Sequence, residues 1–134
     1  MSQENVDIVR DSLRAFEEGG LDAMAETWTA DINWRAMEGA LDDVGEMHGR
    51  EALLRYYEDW LGMFDDFSVV LEEVLDVGDD RAVAVVHVTA RAKASGVRTE
   101  LRYAVAYTVR DGKIARGREY VDREHALAAA GLRE

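Results

Sequence analysis

The sequence predicts a single α+β domain over residues 1–134, a roll in which helices cover one face of a curved, mostly antiparallel sheet. Two observations predict this class. Apolar residues recur at helical spacing in the first half of the chain, and after Asp65-Asp66 they alternate with a period of two until about residue 122. No linker-like or low-complexity segment separates the two parts, so we expect them to share one core.

Three helices and one short strand are expected in the first half. The first helix has an apolar stripe from Val6 to Phe16, and Gly19-Gly20 ends it because glycine readily adopts the left-handed conformation of a helix C-cap. The other expected elements, in chain order, are a short helix over 21–28, a strand over 31–37, a glycine-rich loop over 38–49 and a helix with a buried side from Leu53 to Phe64.

A four-stranded meander and a short closing helix are expected in the second half. Turn signals at Gly78-Asp79-Asp80, Ser95-Gly96 and Asp111-Gly112 divide the alternating region. A strongly curved sheet leaves room between its concave face and the helices, so we expect a cavity there. The expected strands cover 67–77, 81–93, 99–110 and 113–122, and the closing helix covers 124–130.

The charge distribution limits the classes of partner. The chain has a net charge of −12, which argues against a nucleic-acid partner because phosphate binding requires cationic side chains. Residues 1–80 contain 22 acidic and 5 basic residues, whereas residues 81–134 contain 6 acidic and 11 basic residues. Either the two parts neutralise one another within the fold, or the second part presents an arginine-lined surface to an anion.

Several kinds of site are disfavoured by what the sequence lacks. The absence of cysteine excludes disulfides, thiol nucleophiles and thiolate metal sites. No glycine-rich phosphate motif and no histidine pair at metal-ligand spacing is present, so we expect neither a cofactor nor a metal. No apolar run approaches the roughly 20 residues of a membrane span and no export signal is visible, so we expect a cytoplasmic protein without a membrane partner.

Short sequence motifs extend over nearly the whole chain. They are Glu4-Asn5-Val6, Gly20-Leu21-Asp22-Ala23, Asp31-Ile32-Asn33-Trp34, His48-Gly49-Arg50-Glu51-Ala52, Arg110-Asp111-Gly112-Lys113-Ile114 and Arg118-Glu119-Tyr120-Val121-Asp122-Arg123. In these motifs the chain resembles the SnoaL-like branch of the nuclear-transport-factor-2-like (NTF2-like) superfamily, a group of small bacterial proteins. The resemblance implies a cone-shaped roll with three N-terminal helices packed on a strongly curved mixed sheet. It does not define a reaction, because this fold carries isomerases, cyclases, hydrolases, binding domains and assembly modules.

Two enzyme groups of the superfamily differ from this chain at their reactive positions. Ketosteroid isomerases have a base where this chain has Trp34-Arg35-Ala36, and their oxyanion-site tyrosine and carboxylic acid align near Ser12 and Val105. Limonene-epoxide hydrolases have an acid that matches Glu119, but the two partners of that acid are absent from residues 86–89. The resemblance therefore implies neither activity in its usual form, and it retains Glu119 as one reactive residue.

Glu119 is the leading candidate for a catalytic residue. A carboxylate that faces inward among small and apolar neighbours has its pKa raised by desolvation, as a general acid or base near neutral pH requires. The alternative is a structural ion pair with Arg102 or Arg35. Gly117 stands where related chains often carry an aromatic residue, so we expect it to widen the pocket. By alternation, the inward residues of the last strand are Ala115, Gly117, Glu119 and Val121.

Further candidates are His87, Tyr103 and a set of aromatic residues. His87 lies in the apolar strand over 83–88, where it either shares a proton with Glu119 across the pocket or is an ordinary hydrogen-bonded residue. Tyr103 either donates a hydrogen bond to an oxyanion or belongs to the apolar core. The residues expected to line the pocket are Trp34, Tyr57, Phe64 and Gly117.

Three functional classes remain open at this point. The first is acid–base chemistry of the isomerase, cyclase or hydrolase type on a small hydrophobic metabolite. The second is binding of such a molecule without chemistry, and the third is a dimeric interaction domain. In related proteins the convex face of the sheet often packs against a second copy, so we expect a homodimer, with solvent exposure as the alternative. The residues on that face of the strand over 99–110 are Arg102, Ala104, Ala106, Thr108 and Arg110.

Overall fold

The computed structural model describes residues 2–37 and 45–131, which contain three helices and six strands. The helices are α1 Ser2–Ala25, α2 Arg50–Leu61 and α3 Arg123–Ala129. The four strands expected in the second half correspond to β3 to β6, close to their expected bounds. The strands are β1 Trp28–Arg35, β2 Glu46–His48, β3 Phe64–Gly78, β4 Arg81–Ala92, β5 Arg98–Arg110 and β6 Lys113–Tyr120.

The strands form one open sheet in the order β2-β1-β6-β5-β4-β3. β1 runs parallel to β6, and the other neighbouring pairs are antiparallel. The expected α+β class, with a mixed and mostly antiparallel sheet, is therefore confirmed. Because β1 lies beside the last strand, the middle of the sheet combines residues from the two halves of the chain.

The element α1 contains both of the first two expected helices. Gly20 interrupts it with a φ of 80° and a ψ of −166°, a left-handed φ that glycine adopts without strain. The second helix is shorter than expected, because the Thr27 N–H bonds the Met24 carbonyl at 2.9 Å in a closing turn. Trp28 therefore begins β1 instead of ending a helix.

Two other expected boundaries also differ. Phe64 begins β3, because α2 ends at Leu61 and Gly62 follows as its C-cap. The segment over 38–49, expected to be a loop, includes the short strand β2, which pairs with β1. Residues 38–44 of that segment lie outside the described residues. A three-residue edge strand has no alternation long enough to be detected in the sequence.

The two faces of the sheet are covered by different helices. On the inner face, α1 and α2 enclose the main core, whose most deeply buried members include Val9, Ile32 and Leu53 at 0% exposure. On the outer face, α3 packs Ala126 and Leu127 against part of β4 and β5. Both faces of β4 are therefore apolar along part of its length, which matters for the orientation of its polar residues.

The strand β6 contains an irregularity that reverses its alternation. Its pairing with β5 shifts register between Thr108 and Val109, which is the signature of a β-bulge. Ile114 is therefore on the inner face at 1% exposure, whereas Ala115 borders a hollow on the outer face. The expectation that Ala115 shares the inward face with Glu119 is wrong for this reason.

Candidate functional site

A cavity lies between the inner face of the sheet and the helices α1 and α2. Its wall is mostly apolar, and the polar groups of its side chains are the hydroxyls of the tyrosines and Ser12 and the indole N–H groups of the tryptophans. A wall of this composition suits a largely apolar molecule with one or two polar substituents. The aromatic residues that line it are Phe16, Trp28, Trp34, Tyr57, Trp60, Phe67, Tyr103 and Tyr107.

The cavity is small in this conformation. Its volume is about 60 Å³, room for a few water molecules, whereas small-molecule sites have on the order of 300–1,000 Å³. The wider depression, counted together with the solvent at its mouth, contains about 630 Å³ of empty space. The enclosed volume decides what fits in this conformation. A ligand larger than a small fragment therefore requires side chains of the wall to move.

Glu119 lies on the inner face of the sheet, beside the cavity. On β6 it is directly opposite Val105 of β5, a residue of the cavity wall. The indole Nε1 of Trp34 donates a hydrogen bond to Glu119 Oε2 at 2.9 Å, and the backbone N–H of Met37 donates to Oε1 at 3.2 Å. Both donors favour the ionised carboxylate. The raised pKa expected for Glu119 stays a prediction.

Gly117 provides space for Trp34. The two residues are partners in the parallel pair of β1 and β6, and a Cβ at position 117 would lie 2.1 Å from Cζ3 of Trp34. The indole ring fills the space that the missing side chain leaves, and Trp34 is 4% exposed. Contrary to the expectation, Gly117 adds no volume to the cavity. It allows the Trp34 ring to lie across β6 and reach Glu119.

Two tyrosines pack against Trp34, and a third lines the same cavity. The ring centroids of Tyr57 and Tyr107 lie 6.1 Å and 5.9 Å from that of Trp34, both edge to face. Burial, reinforced by the negative charge of Glu119, raises the pKa of Tyr57 well above its ordinary value, and the same two causes raise the pKa of Tyr107. Both phenols therefore stay protonated at neutral pH and act as hydrogen-bond donors. Tyr103 lines the same cavity.

His87 lies on the opposite face of the sheet from Glu119. Its neighbour Val86 lines the cavity, so alternation directs His87 outward, where its Nε2 lies 3.6 Å from Glu100 Oε1. This placement excludes the expected proton sharing between His87 and Glu119. The sequence could not decide the face, because β4 is apolar on both sides.

The side-chain positions also decide two further expectations, an ion pair between Arg102 and Glu119 and a place for Phe64 in the cavity wall. Arg102 does not pair with Glu119; it binds Glu72 on the outer face through Nε at 2.7 Å and Nη2 at 3.0 Å. Phe64 lies behind the cavity wall, with its ring 5.7 Å from Trp60 and 6.4 Å from Phe67, both of which line the cavity. Phe64 therefore supports the wall from outside and is not one of its lining residues.

Ser12 lines the cavity, although from the sequence it was noted only for its alignment near the tyrosine of the ketosteroid isomerases. It is 3% exposed, and its Oγ lies 2.7 Å from Thr27 Oγ1. The Thr27 hydroxyl in turn donates to the Met24 carbonyl at 2.6 Å, so the proton between the two hydroxyls comes from Ser12. The Ser12 oxygen can then accept a hydrogen bond from a ligand. A serine beside the apolar stripe of the first helix was the available signal.

The described segments, residues 2–37 and 45–131, contain no group of three or more His, Asp or Glu side chains placed to hold a metal ion. None of the helices in those segments is long and apolar enough to cross a membrane.

The family of the chain follows from a comparison of its sequence with models of protein families. The model of the SnoaL-like domain matches residues 9–117. The chain therefore belongs to the SnoaL-like domain family, and its fold is that of NTF2-like proteins. A search among curated proteins gave no significant match.

Solved structures with the same fold cover most of the chain. Bal32a, from a soil-derived mobile gene cassette, has a TM-score of 0.77 and 24% identity over 88% of both chains. A protein from Mesorhizobium loti, assigned as a SnoaL-like polyketide cyclase, has a TM-score of 0.65 and 27% identity over 86% of this chain and 97% of its own. AclR from Streptomyces galilaeus, assigned as a hydroxylase, has a TM-score of 0.74 and 17% identity over 98% of both chains.

Proposed function

We propose that this protein binds a small, largely apolar molecule in its inner cavity and catalyses proton transfer on it, with Glu119 as the acid–base residue. The observation that carries the proposal is the position of the Glu119 carboxylate, on the cavity side of the sheet and bonded to the cavity-lining Trp34. An acid at the edge of an apolar, aromatic cavity is where a general base or acid is required for such a substrate.

The chemistry uses Glu119 and Tyr57 together. The ionised carboxylate accepts a proton from an acidic C–H or O–H group of the substrate, and the electron pair moves onto an adjacent carbonyl or epoxide oxygen. Tyr57 is protonated at neutral pH, as any tyrosine is, and burial raises its pKa further, so its hydroxyl can donate to the developing oxyanion. Glu119 then returns the proton at another atom. Isomerisation follows directly from these steps. In a cyclisation, the enolate carbon instead attacks a second carbonyl of the same molecule, and the proton returns to the alkoxide formed. In epoxide hydrolysis, Glu119 takes the proton from a water molecule whose oxygen attacks an epoxide carbon, the C–O bond breaks, and the proton returns to the alkoxide.

Trp34 controls access to the carboxylate. Its indole N–H occupies an oxygen of Glu119 that a substrate must reach, and its ring is part of the cavity wall. A substrate with its own hydrogen-bond donor can replace the indole N–H, because a buried carboxylate needs a donor at that position. Displacement of the large indole ring also enlarges the cavity. Binding and opening are therefore one event in this proposal.

The relatives support an enzymatic activity in a general way. The Mesorhizobium loti protein is assigned as a polyketide cyclase and AclR as a hydroxylase, and both share the fold. We propose a reaction of the isomerase, cyclase or hydrolase type on a small hydrophobic metabolite in the cytoplasm. The fold itself is compatible with many reactions, so the carboxylate and its neighbours are the basis of the proposal.

A second function, ligand binding without chemistry, is favoured by one observation. Glu119 already receives hydrogen bonds from Trp34 and from the Met37 backbone, and these bonds stabilise the charged form and oppose protonation. A carboxylate held in this way can also serve only to orient a hydroxylated ligand. The two functions share the cavity and differ in turnover.

A fragment screen followed by matched variants distinguishes the two functions. Small enones, lactones, epoxides and phenols are screened by thermal shift, since a ligand at 100 times its Kd adds about 2.7 kcal/mol of stability. Turnover of each hit is then compared in the wild type, Glu119→Gln, Tyr57→Phe and the exposed control Glu58→Gln. We expect Glu119→Gln to lower kcat by about 100-fold or more, as for loss of a general base, and Glu58→Gln to have no effect. Full activity of Glu119→Gln would contradict the catalytic proposal, and binding without turnover would favour the second function.

Dimerisation through the outer face of the sheet stays a prediction. The helix α3 covers part of the apolar surface of that face and leaves Ala104 at 0% exposure, so less apolar surface is available to a second copy. Sedimentation velocity over a range of protein concentrations tests the expected dimer.

A further inference from the structure

The outer face of the sheet contains arginines from the second half of the chain and carboxylates from the first. Arg110 Nη2 bonds Asp31 Oδ1 at 2.6 Å, and Arg118 Nη2 bonds Glu46 Oε2 at the same distance. These pairs join the acidic and the basic parts of the sequence, as expected if the two parts neutralise one another.

Two arginines on this face have no such partner. Within the part of the chain that the structure describes, the side chains of Arg81 and Arg116 make no hydrogen bond or ion pair, although their backbones are paired within the sheet. Arg116 is close enough to Glu46 to contribute to the lowering of its pKa, but that carboxylate is bonded to Arg118. The face therefore carries positive charge that the fold leaves uncompensated, in a chain of net charge −12.

The two arginines are aligned across three neighbouring strands. Arg81 of β4 pairs in register with Thr108 of β5, and Thr108 pairs with Arg116 of β6. Neighbouring strands are about 4.8 Å apart, so the two arginine Cα atoms are separated by about 10 Å with the threonine between them. Over that distance both guanidinium groups can bind the same group of a ligand, and the threonine hydroxyl lies between them on the sheet.

A hollow above this row gives a ligand room. It has a volume of about 360 Å³ and is lined by all three residues, by Tyr120 and by Ala129 and Ala130 at the end of α3. The hollow lies on the opposite face of the sheet from the cavity that holds Trp34 and Tyr57. A ligand here is thus independent of the function proposed for Glu119.

We infer that Arg81, Thr108 and Arg116 form a binding site for an oxyanion, a phosphate or carboxylate group carried by a small molecule. Guanidinium groups bind such anions through paired N–H donors, and the threonine hydroxyl adds a third donor from the floor of the hollow. The alanine and tyrosine side chains at its wall accommodate the uncharged part of the molecule. A nucleic acid does not fit this arrangement, because the positive charge is confined to one row on an acidic protein.

A titration with inorganic phosphate tests this site. Amide and arginine Nε–H signals of ¹⁵N-labelled protein are followed at constant ionic strength, so that general screening does not change. We expect saturable shifts centred on Thr108 and its neighbours in β4 and β6. Shifts that do not saturate, or that spread evenly over the surface, would overturn the proposal.

Matched variants identify the residues responsible. Arg81→Gln and Arg116→Gln should each weaken phosphate binding at least tenfold, and Arg116→Lys should retain part of it. Arg98→Gln, which removes the same charge from an exposed position near the other end of β5, should leave it unchanged. Equal weakening in Arg98→Gln would mean that only net charge matters and would overturn the site. The same titration with acetate shows whether the group preferred is phosphate or carboxylate.

Discussion

The indole Nε1 of Trp34 lies 2.9 Å from Oε2 of Glu119, across the parallel pair of β1 and β6. The two residues are separated by 85 positions in the sequence. Their contact holds the carboxylate beside the cavity, places the indole ring in the cavity wall, and depends on the absence of a side chain at Gly117. The consequences of this relationship can be measured one at a time.

Replacement of Trp34 by Phe should destabilise the protein. The change removes the hydrogen bond to a charged, half-buried carboxylate and leaves space where the larger ring was packed. We expect the free energy of unfolding to fall by about 2–4 kcal/mol. Urea denaturation followed by circular dichroism measures it. A loss below about 0.5 kcal/mol would show that the indole N–H does not hold Glu119 in solution.

Replacement of Gly117 by Ala should displace the Trp34 ring. The new Cβ would lie 2.1 Å from Cζ3, so the ring or the strand must shift. Overpacking of this kind costs about 1–3 kcal/mol. In a double-mutant cycle with Trp34→Leu the cost should largely disappear, because the clashing ring is gone. If the two substitutions are additive, the close packing of these residues is not the source of the effect.

High pH should destabilise the protein through Tyr57. Burial raises the pKa of its hydroxyl in the folded state above the value of 10.0 of an exposed tyrosine. The unfolded chain therefore loses this proton first, and the free energy of unfolding falls as pH rises above 10, by about 1.4 kcal/mol per pH unit. Tyr57→Phe should make this dependence less steep between pH 9 and pH 11, and Tyr107, whose pKa is raised in the same way, accounts for the part that is left.

Phe16→Leu serves as the control for the tyrosine experiment. It alters the wall of the same cavity without removing an ionisable group, so it should lower stability by the same amount at every pH. An unchanged pH dependence in Tyr57→Phe would show that this hydroxyl is not desolvated in the folded protein.

Low pH should lower the free energy of unfolding by protonating Glu72, which is paired with Arg102 on the outer face. Hydrogen bonds from Arg102 lower the pKa of this carboxyl in the folded protein. The ionised carboxylate therefore stabilises the fold fully at pH values above its pKa in the unfolded chain. This stabilisation is lost as the pH falls through the lowered pKa of the folded state. Arg102→Gln should raise the pKa of Glu72, as measured by ¹³C NMR of the carboxyl carbon. Arg98→Gln should not change it. The absence of any change in Arg102→Gln would mean that the ion pair is not populated in water.

Local patterns predicted most of the fold and less of the site. The period of two located β4 and β5 within about a residue of their bounds, because alternation and turn residues are local signals. The pairing of β1 with β6 is not a local property, and nothing near Gly117 in the sequence shows that Trp34 fills its side-chain space. The glycine was for that reason interpreted as an opening in the cavity.

The predicted orientations of His87 and Ala115 are wrong for two separate reasons. Both faces of β4 are covered by helices, so an apolar strand gave no indication of which side His87 faces. In β6 the bulge reverses the alternation after Ile114, and one extra residue is invisible in a pattern of hydrophobicity. Glu119 lies beyond the bulge, and its expected inward position agrees with the structure.

The Trp34 indole signal in a ¹H–¹⁵N NMR spectrum tests the central claim, that ligands bind at Glu119, most directly. The chain has 3 tryptophans, and the signal of Trp34 is assigned as the one absent from Trp34→Phe. We predict that Glu119→Gln moves this signal in the free protein, and that a ligand from the fragment screen moves it in the wild type as the indole N–H leaves the carboxylate. A ligand that stabilises the protein while this signal stays unchanged would contradict the claim and place binding elsewhere.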